Sequence, residues 1–172
     1  MQRAMPLKYR VGLLVFVVCV CADQLTKYLV ETNLHFGDRR SVIEGFFYLT
    51  HVRNPGAAFG LGARWSPAVR GGFFLSVSTV AVGIILSFFH KLAPGDRLSA
   101  LALGSILGGA VGNLIDRIRY GEVVDFLHFQ LWKGYSWPDF NFADSFIVVG
   151  VALLMLEMVA TEGDSHAPPE SA

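Results

Sequence analysis

Four apolar stretches, each about as long as a bilayer is thick, constrain this chain more than anything else in its sequence. A membrane-crossing helix needs ~20 mostly apolar residues. The stretches at 11–30, 71–89, 98–115 and 142–160 have that length and character. A soluble core does not require its apolar residues in such blocks. The composition agrees: 53% of the 172 residues are hydrophobic and 16% charged, against ~25% charged in ordinary soluble domains. The pattern predicts a membrane all-α fold, a four-transmembrane-helix bundle, built as one domain over residues 1–160. Gly104, Gly108, Gly109 and Gly112 make the third stretch rich in small residues, which lets neighbouring backbones approach closely. Cys19 and Cys21 point to nearly opposite sides of a helix, so they read as small residues facing lipid or a neighbour, not as a pair.

Basic residues in short connections set the direction of insertion. Arg3, Lys8 and Arg10 precede the first span, and His90, Lys91 and Arg97 join the second to the third. Both places are therefore expected in the cytoplasm, as is the polar tail 161–172, which reads as disordered. Segments 31–70 and 120–141 then face outward. Arg39, Arg40, Arg53, Arg64 and Arg70 in the first of these run against the rule, which a folded segment tolerates. A basic start before the apolar run 11–22 also describes a cleavable secretory signal. The polar Asp23, Gln24 and Lys27 beyond it favour a retained span instead.

The first outward segment is not helical in pattern. Residues 41–52 are rich in β-formers, bounded by Gly and by the turn Asn54-Pro55-Gly56. A small sheet on the membrane surface is expected, with Phe46, Phe47, Tyr48, Trp132 and Trp137 suited to the headgroup level. Zero net charge leaves no long-range field for nucleic acid. His128 has no partner at a ligand spacing, so no metal and no cofactor are expected.

Ionisable groups within or beside a membrane span are costly and mark function. Here they gather toward one side: Asp23 and Gln24 in the outer half of the first span, Asn113, Asp116 and Arg117 closing the third, Asp125 beyond it, and Asn141, Asp144 and Ser145 opening the fourth. Asp125 and Asp144 come from separate elements and can converge in a partly dry pocket. Like charges held close share a proton near neutrality. One carboxylate can then take a proton from water while its partner protonates a peptide carbonyl. Each part also has a plain reading. Asn141 with Asp144 is an ordinary helix start, Asp23 with Lys27 an i,i+4 pair, and Asp116 with Arg117 an interfacial ion pair. Intramembrane carboxylates also fit an ion- or proton-coupled transporter, and a non-catalytic envelope assembly protein is a third possibility. No base is evident for Ser145, so a serine nucleophile is disfavoured.

Five segments in order, Asp23-Gln24-Leu25-Thr26-Lys27, Asn54-Pro55-Gly56-Ala57-Ala58-Phe59, the run from Gly108 to Arg117, Val123-Val124-Asp125-Phe126 and Phe140-Asn141-Phe142-Ala143-Asp144-Ser145, resemble the motifs of the bacterial lipoprotein signal peptidases, signal peptidase II. The resemblance implies an aspartic endopeptidase of the inner membrane, both termini cytoplasmic, with its site near the periplasmic face under a periplasmic β-rich cradle. Asp125 and Asp144 would be the catalytic dyad. Asn54, Asn113, Arg117 and Asn141 match positions that place the substrate backbone or support the dyad, and Asp23 and Asp116 match structural ones. The implied substrates are diacylglyceryl-modified prolipoproteins, cut on the N-terminal side of the lipidated cysteine. Membrane lipid is the other expected partner, and the chain is expected to act as a monomer. At the dyad, the dipole of the fourth helix is expected to keep Asp144 ionised and leave Asp125 protonated.

Overall fold

A computed structural model describes residues 5–56, 64–132 and 134–165. Four helices carry the apolar stretches: α1 (Leu7–Asn33), α2 (Pro67–Lys91), α3 (Leu98–Tyr120) and α4 (Phe142–Ser165). Each is long and apolar enough to cross a membrane. All overrun the predicted stretches at one or both ends, because backbone bonding continues past the last apolar side chain until something stops it. For α2 the start is Ser66, whose hydroxyl accepts from the Val69 amide, followed by Pro67 at the first helical position. For α3 the stop is Gly121, whose left-handed backbone (φ 73°) lets its amide close on the Arg117 carbonyl. Asp116 and Arg117 thus lie inside α3 and do not close it. The tail expected to be disordered from Thr161 is helical as far as Ser165. No proline interrupts it before Pro168.

The centre of the bundle is α3, which packs against all three other helices, whereas α2 packs closely against α3 alone among the helices. The small residues of α3 explain this. A Cβ added at Gly104 would stand 2.8 Å from the Gly12 carbonyl of α1, one at Gly112 2.5 Å from Asp23 Oδ2, and one at Gly109 would collide with the Ala143 carbonyl of α4. Three close approaches on one helix pull α1 and α4 onto it, the mode expected where lipid offers no hydrophobic drive. Cys19 packs beside Gly108 and is buried, while Cys21 is exposed. At the far end Lys8 ties α1 to the α2–α3 connection, its ammonium donating to the carbonyls of His90 (2.8 Å) and Leu92 (2.6 Å).

The other end of the bundle carries an antiparallel sheet in the order β1-β2-β3-β4. Its strands are β1 (Arg39–Ile43), β2 (Phe47–Asn54), β3 (Val123–Trp132) and β4 (Tyr135–Ser136). The β-rich stretch expected over 41–52 is a hairpin, turning at Gly45 (φ 76°). Its partner β3, in the second outward segment, was not anticipated as a strand. Phe47 stacks on Phe129 across the β2–β3 pair with centroids 4.8 Å apart. The pairing sets Val52 opposite Asp125 and Asn54 opposite Val123. Beyond β4 the chain returns along β3, Trp137 donating to the Phe129 carbonyl (2.8 Å) and Leu127 to that of Phe140 (2.8 Å). This return leads straight into α4.

The arginines at odds with the charge rule are largely engaged. Arg53 pairs with Glu31 at the end of α1 and lies over the Tyr120 ring. Arg39 lies 3.6 Å above Tyr48 and donates to Gln130, and Arg70 approaches Glu122. Folding uses these charges as structural ties.

Candidate active site

Where the sheet meets the bundle, a cavity of about 350 Å³ is lined by Asn54, Gly56, Asn113, Arg117, Val123, Asp125, Tyr135, Trp137, Pro138, Asp139, Phe140 and Asp144. Both predicted carboxylates line it, Asp125 from β3 and Asp144 from the first turn of α4. So do Asn54, Asn113 and Arg117. The tail of the outer-loop motif, Ala57-Ala58-Phe59, lies outside the described residues.

Asn141 joins the pieces. It caps α4 reciprocally: its Oδ1 accepts from the Asp144 amide (3.0 Å), and its own amide donates to Asp144 Oδ2 (3.2 Å). Its Nδ2 points the other way, into a cluster of acceptors: Asp125 Oδ1 (2.7 Å), Asn113 Oδ1 (3.2 Å) and the Val124 carbonyl (3.2 Å). Asn113 in turn donates through Nδ2 to Asp144 Oδ1 (2.8 Å). Two asparagines thus link the carboxylates in a continuous chain of bonds. From β2, Asn54 Nδ2 donates to the other oxygen of Asp125 (2.9 Å), while Asn54 Oδ1 accepts from the Gly56 amide (3.1 Å). The plain reading of Asn141 and Asp144 as a helix start therefore holds, and Asp144 lines the cavity as well.

Electrostatics separate the two carboxylates. Asp125 is 2% exposed. Burial first, and then the negative charge of Asp144, push its carboxyl up to about 7 against the pull of Asn54, Asn141 and Lys27. Asp144 is only partly buried and sits in the first turn of α4, where the helix dipole favours negative charge.

Beneath the cavity lies a second layer that sequence reasoning saw only in part. The Asp23–Lys27 pair is more than an intrahelical bridge. Lys27, 2% exposed, directs its ammonium at Asp23 Oδ2 (2.9 Å), Asp116 Oδ2 (2.8 Å) and Asn113 Oδ1 (2.9 Å). All three ammonium donors are used. Asp23 Oδ1 accepts from the Ala143 amide (2.9 Å), and Asp116 Oδ2 from the Val124 amide (3.1 Å). Gln24 bridges Asp23, Asp116 and the Gly112 carbonyl. Asp116 pairs with Lys27, not with its neighbour Arg117, which turns back to the Asn113 carbonyl (3.2 Å). Asp23 and Asp116 thus hold the residues flanking each carboxylate, Ala143 beside Asp144 and Val124 beside Asp125. The signal for Lys27 was its charge within an apolar span, but its partners 86 and 89 positions away could not be paired from sequence.

The family model for signal peptidase (SPase) II matches residues 15–160. A lipoprotein signal peptidase of Desulforapulum autotrophicum is 47% identical over 146 residues, covering 85% of this chain and 90% of the relative. One of Geobacter metallireducens is 46% identical over 154 residues, covering 90% and 93%. A solved bacterial membrane enzyme, 34% identical, superposes with a TM-score of 0.78 over 94% of both chains. With a match that runs through all four helices and both carboxylate-bearing segments, the chain belongs to the signal peptidase II family.

Proposed function

We propose that this chain removes signal peptides from prolipoproteins as an aspartic endopeptidase, with Asp125 and Asp144 as its catalytic dyad. The observation that carries the reading is the convergence of these two carboxylates on one cavity at the end of a bundle of apolar helices, linked through Asn113 and Asn141. Asp144, ionised at the helix start, takes a proton from the attacking water. Asp125, which keeps its proton to about pH 7, gives it to the scissile carbonyl oxygen. Collapse of the tetrahedral intermediate then passes the water-derived proton from Asp144 to the leaving nitrogen, and Asp125 recovers its own from the hydroxyl. Arg117 and Asn54 line the cavity where a substrate backbone would lie. Asp23, Asp116 and Lys27 support the elements that bear the dyad.

The substrates are diacylglyceryl-modified precursors, cut on the N-terminal side of the lipidated cysteine. The enzyme works as a monomer in the bacterial inner membrane. Both termini are cytoplasmic, and the sheet forms a periplasmic cradle over the site. Engagement of Arg39, Arg53 and Arg70 within a folded segment eases the conflict with the charge rule, since long folded segments cross largely regardless of charge. A site at a bundle end suits such a substrate: the signal helix stays in the bilayer while its cleavage point reaches the aspartates. The transporter and assembly-protein alternatives are not favoured, since the relatives over most of the chain are peptidases.

The test is gel-shift cleavage of a diacylglyceryl-modified precursor by purified protein. Wild type is expected to cut, and folded Asp125→Asn and Asp144→Asn each to lose about 10²–10⁴-fold or more in rate. Full activity in either variant would reject the dyad.

A further inference from the structure

A third carboxylate, Asp139, lines the same cavity as Asp125 and Asp144, and the mechanism does not use it. It lies on the return segment between β4 and α4, two residues before Asn141. One oxygen, Oδ1, takes both the Thr50 hydroxyl of β2 (2.6 Å) and Nδ1 of His128 on β3 (3.2 Å). Thr50 is buried, and the side chains of His128 and Asp139 are 13% and 25% exposed. The His128 ring stands edge-on to Tyr48, whose ring also meets the Arg39 guanidinium. The carboxylate is therefore turned toward the sheet by two donors from two strands. Facing Asp125 are Asp144 of α4, Lys27 of α1 and Arg117 of α3, besides Asn54 and Asn141.

We propose that Thr50 and His128 are positioning residues that latch the Asp139 carboxylate against the sheet and so keep a third negative charge off the dyad. This rests on the aspartic reading for its catalytic meaning, though the latch itself is a property of the cavity. A dyad works by sharing one proton between two carboxylates. A third one nearby would hold an extra proton in the cluster and displace the titration of the acid. Asp139 lines the cavity onto which the dyad opens, and the two donors hold its charge toward the sheet.

The experiment is a carbon-13 NMR titration of the Asp125 carboxyl in detergent-solubilised protein, a readout independent of turnover. Wild type is compared with Thr50→Val, with His128→Phe (which keeps the ring against Tyr48), and with their combination. Releasing Asp139 is expected to move the Asp125 midpoint upward by about half a pH unit or more. Adding Asp139→Asn to the released variants is expected to return the midpoint to the wild-type position, because the charge is gone although the latch is still broken. Asp139→Asn alone is expected to leave the midpoint in place. An unmoved midpoint in the released variants overturns the latch. So does a displaced one that Asp139→Asn fails to restore, since that indicates general disturbance of the sheet. If the double variant does not fold, Thr50→Val with and without Asp139→Asn decides the same question. Failure of the dyad reading is separate: it appears as turnover surviving Asp125→Asn or Asp144→Asn, whatever the midpoints do.

Discussion

Asp125 is held in a state that costs stability and, on the proposed mechanism, supports chemistry. An unfolded aspartate titrates near ~4, whereas this carboxyl is pushed up to about 7. Below ~4 both states carry the proton. Between there and about 7 only the folded state does, so stability falls as pH rises through that window and is level above it. Two outcomes follow. Cleavage is expected to decline as pH rises through about 7, seen in the pH dependence of kcat on lipidated precursor. Asp125→Asn, which cannot ionise, is expected to gain in melting temperature relative to wild type from pH 5 to pH 8; a constant difference across that range counts against the raised value. Lys27 poses the opposite case. Lys27→Met leaves Asp23 and Asp116 buried without their cation, a loss of about 3–5 kcal/mol. Thermal unfolding in detergent should register it, and additional Asp116→Asn should recover part of it.

Among the elements, the helices were legible and two strands, β3 and β4, were not. Apolar length alone fixed the four spans, because lipid leaves a backbone few other choices. The first β-rich stretch announced itself through Val42, Ile43, Phe47 and Tyr48, though not its turn at Gly45. β3 carries comparable residues, Val123, Val124, Phe126 and Phe129, but Asp125 and His128 interrupt them and drew attention to their chemistry. In the structure those polar positions meet partners on β2, on the return segment and at α4, which no local pattern reveals. The candidate site divides likewise. Asp125, Asp144, Asn113 and Asn141 could be gathered by topology, whereas Lys27 looked satisfied by Asp23 four residues away. The glycines of α3 give a test at this scale. Gly112→Ala sets a methyl 2.5 Å from Asp23 Oδ2 and is expected to cost about 1–3 kcal/mol. Gly83→Ala in α2 meets nothing within 4 Å, and its melting temperature is expected to be unchanged or higher.

For the whole molecule, orientation and substrate class can be checked together in cells and in detergent. A fluorescent protein fused after Ala172 is expected to fluoresce, and alkaline phosphatase at the same place to stay inactive; the reverse pair would put the C-terminus outside. On the proposed function the acyl chains hold the precursor in the same bilayer as the enzyme, at ~0.8 kcal/mol per CH₂ buried. Unlipidated precursor is therefore expected to be cut at least about tenfold less efficiently in kcat/KM; equal rates would reject that contribution. Asn141 has a further consequence for the life of the chain. The same side chain starts α4, grips Asp125 and meets Asn113, which grips Asp144, so the dyad exists only after the last helix has docked on α3. During synthesis a ribosome-bound chain with three spans inserted has Asp125 but no Asp144 and no Asn141. On the proposed mechanism the enzyme is thus inert until its fourth helix docks, and that docking is its activation.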